Sequence, residues 1–149
     1  MILEELLDEA IFMAANWHRG QRDKGGHPYI LHCLRVMFKC ETTEQKIVAV
    51  LHDILEDTDC PDFLVLGGNP TKIGNAIVAL TRLKHEPYSD YIERVSHNPL
   101  ATYVKLRDLE DNLDRSRIPK GYTGQLPGYR RYMQAHEYLT SCLTNLTRV

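Results

Sequence analysis

The chain has 149 residues, of which 43% are hydrophobic and 26% charged, the composition of an ordinary globular domain. Its formal net charge of −2 gives no electrostatic footprint for nucleic acid or an anionic membrane. No apolar run approaches the length of about 18 residues that a membrane span requires, and the acidic start from Met1 to Glu9 is unlike a signal peptide. We therefore expect a cytoplasmic protein of one domain over residues 1–149, with no nucleic-acid or membrane partner; its oligomeric state is open.

Helical periodicity recurs along the chain, whereas no segment alternates apolar and polar residues over more than a few positions. Helices are predicted, in chain order, over 2–18, 29–40, 45–54, 72–83, 88–96, 99–114 and from 126 or 127 to 146. Thr42 or Thr43 is a suitable N-cap for the third helix, and Pro99 suits the first turn of the sixth. The predicted fold is all-α, a compact single-domain bundle of about six or seven helices; an α+β fold is the alternative.

The four cysteines show neither CxxC pairing nor zinc-finger spacing; they are Cys33, Cys40, Cys60 and Cys142. In a reducing compartment such cysteines are most simply free thiols. A disulfide or a cysteine metal site is the alternative.

The third predicted helix leads into Leu51-His52-Asp53-Ile54-Leu55-Glu56-Asp57-Thr58, where one imidazole and three carboxylates enter an apolar run. On a continuous helix, His52 and Glu56 lie one turn apart, as do Asp53 and Asp57. The carboxylates then repel one another by a few tenths of a kcal/mol per pair, and burial raises that cost. A divalent cation held by His52 and Asp53 compensates the repulsion most economically. The alternative is a solvated acidic face on a surface helix.

Two other predicted helices offer further ligands for a cation. His32 falls early in the second helix among apolar neighbours, where a single histidine is more often a satisfied core residue. In the sixth helix, Asp108 and Asn112 lie one turn apart on one face, whereas Asp111 and Asp114 are expected to face solvent. Each piece alone is weak evidence for a metal site. The ordered set of two histidines and two aspartates on separate helical segments is much stronger evidence.

These residues lie in motifs that resemble the HD superfamily of metal-dependent phosphohydrolases. Within it, the chain resembles the (p)ppGpp 3′-pyrophosphohydrolase domain of the RelA/SpoT proteins and its small stand-alone relatives. The matching segments are His18-Arg19-Gly20-Gln21, Pro28-Tyr29-Ile30-Leu31-His32, Leu51 to Thr58, Leu80-Thr81-Arg82 and Val104-Lys105-Leu106-Arg107-Asp108-Leu109, with Asn112 following at the family's interval.

The resemblance implies a metal site that typically holds Mn²⁺, although another divalent metal is possible; its ligands are His32, His52, Asp53 and Asp108. Glu56 and Asp57 match the acidic pair that handles the attacking water, and Asn112 matches a residue that contacts the nucleotide. The chemistry agrees, because a metal ion lowers the pKa of its water and polarises a phosphoryl oxygen. A carboxylate one turn away can then accept the proton.

A polyanionic substrate needs local cations, and Arg19, Arg22 and Lys24 cluster around the Gly-rich loop before the second helix. We expect this cluster to contact phosphates; a solvated basic surface is the alternative. The chain departs from the family in this loop, because Asp23 stands where many relatives carry Arg. Cys33 likewise replaces a family Pro, and Arg115 a frequent Thr. These departures concern nucleotide recognition more than metal binding.

Three functions are compatible with the sequence. The leading hypothesis is a metal-dependent phosphohydrolase that removes the 3′-pyrophosphate of (p)ppGpp or a related nucleotide. A phosphatase acting on another nucleotide, such as NADPH, is the second. The third is a non-catalytic nucleotide-binding module, which predicts loss of a metal ligand or of the Glu56–Asp57 pair; all six residues are present. The chain is too short for a synthetase domain, so we do not expect synthesis of the nucleotide.

Overall fold

In the computed structural model, residues 2–117 and 127–147 are described. Over these residues the chain forms nine α-helices and no strand, which confirms the predicted all-α class. The helices are α1 (Leu3–Trp17), α2 (Ile30–Phe38), α3 (Thr43–Leu51), α4 (Ile54–Asp57), α5 (Asp62–Leu66), α6 (Thr71–Leu80), α7 (Tyr88–Ser96), α8 (Pro99–Asn112) and α9 (Tyr129–Thr147).

The seven longer helices correspond to the seven predicted ones, with ends that differ by a few residues. Two short helices, α4 and α5, were not predicted as separate elements. Leu126, the earlier of the two predicted starts for the last helix, lies outside the described residues. No helix in the described ranges is both long and apolar enough to cross a membrane.

Helix α3 lies at the centre of the bundle, where it packs against α1, α2, α6 and α8. Its residues 47–51 are all buried. Full burial of a large aliphatic side chain such as Ile47 or Leu51 contributes about 1.5–3 kcal/mol, so this packing fixes the position of the helix. The C-terminal end of α3, which leads into His52, is therefore held inside the core.

Two N-caps set where the site-bearing helices begin. Thr42 caps α3: its hydroxyl accepts from the N–H of Gln45, and the Gln45 side chain accepts from the N–H of Thr42. Asn98 caps α8 by accepting from the N–H of Ala101, with Pro99 in the first turn as predicted.

The prediction of one continuous helix through residue 54 is wrong. Helix α3 ends at Leu51, and α4 begins only at Ile54. The carbonyl of Ala49, which would accept from the N–H of Asp53 in a continuing helix, instead accepts from Nδ1 of His52 at 2.6 Å. Because the imidazole occupies this carbonyl, the helix breaks at the His52–Asp53 doublet.

All four cysteines are free thiols in the structure. Cys33, Cys40 and Cys60 are buried, whereas Cys142 is half-buried. The buried thiols belong to the hydrophobic core, which is how unreactive structural cysteines usually behave.

Candidate active site

Four side chains from three parts of the chain converge on one point beside α3. They are His32 from α2, His52 and Asp53 from the turn after α3, and Asp108 from α8, and one ligand atom of each lies within 4.8 Å of the others. Nε2 of His52 lies 2.9 Å from Oδ2 of Asp53 and 3.3 Å from Oδ1 of Asp108. Nε2 of His32 lies 3.0 Å from the same Asp108 oxygen. The structure thus brings the four predicted metal ligands together.

The two imidazoles are oriented as metal ligands. Nδ1 of His32 donates to Asp111 at 2.7 Å, and Nδ1 of His52 donates to the carbonyl of Ala49. With a proton assigned to each Nδ1 by these acceptors, both Nε2 atoms face the carboxylates. Nε2 of His52 is buried and makes no hydrogen bond to any described residue. Two Nε2 atoms, which a metal ion would bind in place of a proton, and two carboxylates are a donor set that fits a divalent cation.

The charges of the cluster also favour a cation. Burial lowers the pKa of His52, but the neighbouring Asp53 and Asp108 outweigh burial and raise that pKa to about 10. Burial raises the pKa of Asp53, but His52 and His32 outweigh it and hold that pKa below its ordinary value. The two carboxylates thus stay ionised and attract positive charge to the point between the four side chains.

Asp108 is fixed by two further residues of its own helix. Lys105, which is buried, donates from Nζ to Oδ2 of Asp108 at 2.7 Å. Asn112 donates from its amide to Oδ1 at 3.0 Å. The i,i+3 and i,i+4 spacing on α8 makes both contacts possible, so the predicted nucleotide contact Asn112 lies directly beside the predicted metal ligand.

Tyr29 connects one predicted metal ligand to one predicted catalytic acid. Its hydroxyl donates to Oδ2 of Asp53 at 2.5 Å and lies 3.4 Å from Oδ2 of Asp57. Burial and then Asp53 raise the pKa of Tyr29, so the hydroxyl keeps its proton and acts as a donor.

Glu56 and Asp57 lie on α4 and line the same cavity as His32, Asp53 and Asp108. The N–H of Arg82 donates to Oε1 of Glu56 at 2.7 Å. Removal from water raises the pKa of Glu56. Removal from water is also the largest cause that raises the pKa of Asp57, and the charges of Asp53 and Glu56 add to it; together they raise that pKa to about 7. A carboxyl group with a pKa near neutrality is suited to exchanging a proton with substrate or water.

The cavity has a volume of about 530 Å³, which falls within the usual range for sites that enclose a small molecule. Besides the acids, its wall carries cations and aromatic rings from distant parts of the chain. The cations are Arg22, Lys24, Arg82, Lys105 and Arg131. The aromatic residues are Tyr29, Tyr88, Tyr91 and Tyr132. Such a lining is suited to an anionic ligand that also has a flat ring.

Comparison with known proteins gives two related sequences, while no family model matches the chain. Over 121 residues, 73% of its length, the chain is 31% identical to a guanosine-3′,5′-bis(diphosphate) 3′-pyrophosphohydrolase of Aquifex aeolicus (strain VF5). Over 86 residues, 55% of its length, it is 27% identical to a probable enzyme of the same name from Mycoplasma genitalium. The matches span only 17% and 12% of these relatives' own lengths.

A solved structure has the same fold. It is described as a metazoan ortholog of SpoT that hydrolyses ppGpp and plays a role in starvation responses. The TM-score is 0.73 at 22% identity, over 93% of this chain and 85% of that chain. The resemblance to RelA/SpoT-type hydrolases is confirmed.

The structure separates the three loop cations that the sequence groups together. Arg22 and Lys24 are exposed and line the cavity. Lys24 also lies over the ring of Tyr132, with Nζ 5.8 Å from the centroid. Arg19 is exposed but is not among the described residues that line the cavity. The structure therefore brings two of the three cations to the site.

Two arginines of the cavity were not among the predicted site residues. Arg82 belongs to the Leu80-Thr81-Arg82 motif, so the sequence did contain a signal for it. Arg131 lies on α9, with its guanidinium 4.6 Å from the Tyr88 centroid and 5.4 Å from the Tyr132 centroid. Nothing in the local sequence marks Arg131, because α9 reaches the site only by packing against α7 and α8.

The expectation that Asp111 faces solvent is wrong. Its exposed fraction is 1%, and it accepts hydrogen bonds from His32 and Arg35 of α2. A buried carboxylate is tolerated when it is paired and hydrogen-bonded. Asp114, by contrast, is exposed as predicted.

Proposed function

We propose that the protein is a metal-dependent phosphohydrolase that removes the 3′-pyrophosphate from ppGpp or a closely related nucleotide. The observation that carries the proposal is the convergence of two histidines and two aspartates within 4.8 Å. Three of the four, His32, Asp53 and Asp108, line the cavity together with Glu56 and Asp57. The substrate is supported by the activities for which the relatives from Aquifex aeolicus and Mycoplasma genitalium and the metazoan SpoT ortholog are named.

In this proposal the ion is held by His32, His52, Asp53 and Asp108. Two imidazoles and two carboxylates suit a borderline divalent metal, and the resemblance to RelA/SpoT-type hydrolases leads us to propose Mn²⁺ as that metal. When bound, the ion supplies Lewis acidity: it polarises a phosphoryl oxygen and lowers the pKa of water.

The carboxylates of α4 handle the proton. Water attacks the phosphorus attached to the ribose 3′-oxygen while Asp57 or Glu56 accepts its proton. The bond between that phosphorus and the 3′-oxygen breaks, and the 3′-oxygen takes up a proton. The two products are pyrophosphate and GDP. The Arg82 N–H holds Glu56 through Oε1, which supplies the fixed orientation that such a transfer needs.

The cations of the cavity bind the phosphates in this account. Arg22 and Lys24 approach from the Gly-rich loop, and Arg82 and Arg131 from the ends of α6 and α9. Charge-assisted hydrogen bonds from such groups are the usual way in which proteins hold phosphates. Asn112 contacts the nucleoside. Arg19 is not part of this proposal.

A substrate panel tests the proposal. Purified protein with Mn²⁺ is given ppGpp, NADPH, nucleoside triphosphates and a generic phosphodiester, and products are separated by ion-exchange chromatography. We expect GDP and pyrophosphate from ppGpp and much slower turnover of the others. Faster release of phosphate from NADPH than hydrolysis of ppGpp would mean that NADPH, rather than ppGpp, is the preferred substrate. Binding of ppGpp without turnover would identify a binding module. A cytoplasmic location stays a prediction.

A further inference from the structure

Asp111 is a buried carboxylate that contacts a predicted metal ligand from outside the cluster. Its Oδ2 accepts from Nδ1 of His32 at 2.7 Å, on the side of the ring opposite the cluster. The exposed fraction of its side chain is 1%. Asp111 lies one turn after Asp108 on α8, so the same helix supplies a ligand and a hydrogen-bond acceptor for another ligand.

Two cations, Arg35 of α2 and Lys39 directly after that helix, hold the Asp111 carboxylate in place. Arg35 donates from Nε to Oδ1 at 3.0 Å and from Nη2 to Oδ2 at 3.3 Å. Lys39 places Nζ 3.6 Å from Oδ1. His32 and Arg35 lie about one turn apart on α2, and Lys39 is the C-cap residue about one turn after Arg35. Three side chains spaced in this way therefore meet one carboxylate. The carboxylate therefore has a fixed position and offers a fixed acceptor to the His32 ring.

We propose that Asp111 is a positioning residue for the metal centre, an inference that rests on the proposed function. It keeps the proton of His32 on Nδ1 and fixes the rotation of the ring, so that the Nε2 lone pair faces Asp53 and Asp108. A carboxylate that accepts from a ligating histidine also makes that histidine a better donor to the metal.

The two histidines of the cluster are oriented differently. Nδ1 of His52 donates to a backbone carbonyl, that of Ala49, whereas Nδ1 of His32 donates to a charged side chain. Backbone support for His52 comes from α3 itself and needs no particular side chain. The support for His32 depends on the residue at position 111, so a single substitution there tests it.

The test replaces Asp111 by Asn, which keeps the shape of the side chain but removes its charge. Mn²⁺ affinity is measured by calorimetric titration, and thermal unfolding is followed in EDTA. The matched control is Glu110→Gln, which removes one negative charge from the neighbouring residue; Glu110 pairs with Arg107 rather than with a predicted ligand. We expect Asp111→Asn to weaken Mn²⁺ binding by about 10- to 100-fold, the usual effect of losing such a partner, and Glu110→Gln to leave it unchanged.

The inference would be overturned if Asp111→Asn bound Mn²⁺ as tightly as wild type does. If that variant also unfolded at a lower temperature in EDTA, Asp111 would serve only to join α2 to α8. Absence of Mn²⁺ binding by the wild type would instead overturn the metal centre itself and the inference with it. If the variant does not fold, ring-nitrogen NMR of the wild type with diamagnetic Zn²⁺ decides: we expect His32 protonated at Nδ1 and coordinated through Nε2. The opposite assignment overturns the inference.

Discussion

Nε2 of His52 lies 2.9 Å from Oδ2 of Asp53, although the two residues are adjacent in the chain. Adjacent side chains on a continuous helix point about 100° apart and do not face each other. Here the helix has ended at Leu51, and Asp53 has φ −103° and ψ −2°. The turn directs both side chains to one point, where they meet His32 and Asp108. The break between α3 and α4 therefore builds half of the cluster.

Replacing Asp53 by Asn tests this half of the cluster. The substitution removes one of two negative charges among the four converging groups. Loss of a residue that only hydrogen-bonds a metal ligand lowers metal affinity by at most roughly 100-fold. We expect Asp53→Asn to lower Mn²⁺ affinity by more than that. In EDTA the variant should unfold at a lower temperature than wild type, because Asp53 loses its charge pairing with His52 and His32; Mn²⁺ affinity is therefore measured well below that temperature. Asp59→Asn, an exposed residue on the same segment, is the control. Unchanged Mn²⁺ binding by Asp53→Asn in calorimetry would remove Asp53 from the metal site.

Substitutions of Glu56 and Asp57 test catalysis separately from metal binding. Glu56→Gln keeps the size of the side chain and removes its ability to accept a proton, so we expect ppGpp hydrolysis to slow by about 10²- to 10⁴-fold. Asp57→Asn should behave similarly, and whichever loss is larger identifies the dominant acid. Mn²⁺ affinity, measured in parallel, should change little in either variant. Near wild-type turnover in both would leave the pair without a catalytic role.

Tyr29→Phe removes the hydroxyl that joins Asp53 to Asp57. Because this hydroxyl donates to a predicted metal ligand, we expect a loss of about 10- to 100-fold in Mn²⁺ affinity or in turnover. Tyr138→Phe is the matched control, since Tyr138 is exposed and is not among the described residues that line the cavity. An equal response of the two variants in both assays would mean that the Tyr29 hydroxyl does not position the site.

We expect the loop cations Arg22 and Lys24 to favour large anionic substrates over small ones. Replacing Arg22 and Lys24 together by Ala should raise the KM for ppGpp by roughly 10- to 100-fold, since one charge-assisted contact contributes about 1.5–3 kcal/mol. The KM for a small phosphodiester should change much less. Stability should be nearly unchanged, because both side chains are exposed. Arg19→Ala, outside the cavity lining, provides the comparison. The same KM change for both substrates, or for Arg19→Ala, would show an unspecific surface effect.

The sequence is sufficient to predict the helices whose apolar faces form the core, and it identifies the members of the cluster. Ile47, Val50 and Leu51 are fully buried on α3, as their spacing indicates. Periodicity does not predict the break after Leu51, because that break depends on a side chain: the His52 ring occupies the Ala49 carbonyl. Local pattern contains no information about this competition.

Two further residues could not be placed from local pattern. Asp111 carries a charge, which favours an exposed position. It is buried because it pairs with cations on and directly after α2, of which Arg35 is 76 residues away in the chain. Arg131 reaches the cavity because α9 packs against α7 and α8. Both placements depend on contacts between distant helices, which helical spacing alone does not supply.

The measurement that tests the central proposal most directly is the conversion of ppGpp by the purified protein before and after metal removal. The protein is incubated with ppGpp in Mn²⁺, in EDTA, and in EDTA followed by excess Mn²⁺, and GDP and pyrophosphate are quantified. We predict equimolar GDP and pyrophosphate in Mn²⁺, none in EDTA, and recovery when Mn²⁺ is restored. Undiminished hydrolysis in EDTA, or intact ppGpp in the presence of Mn²⁺ shown to be bound, would contradict it.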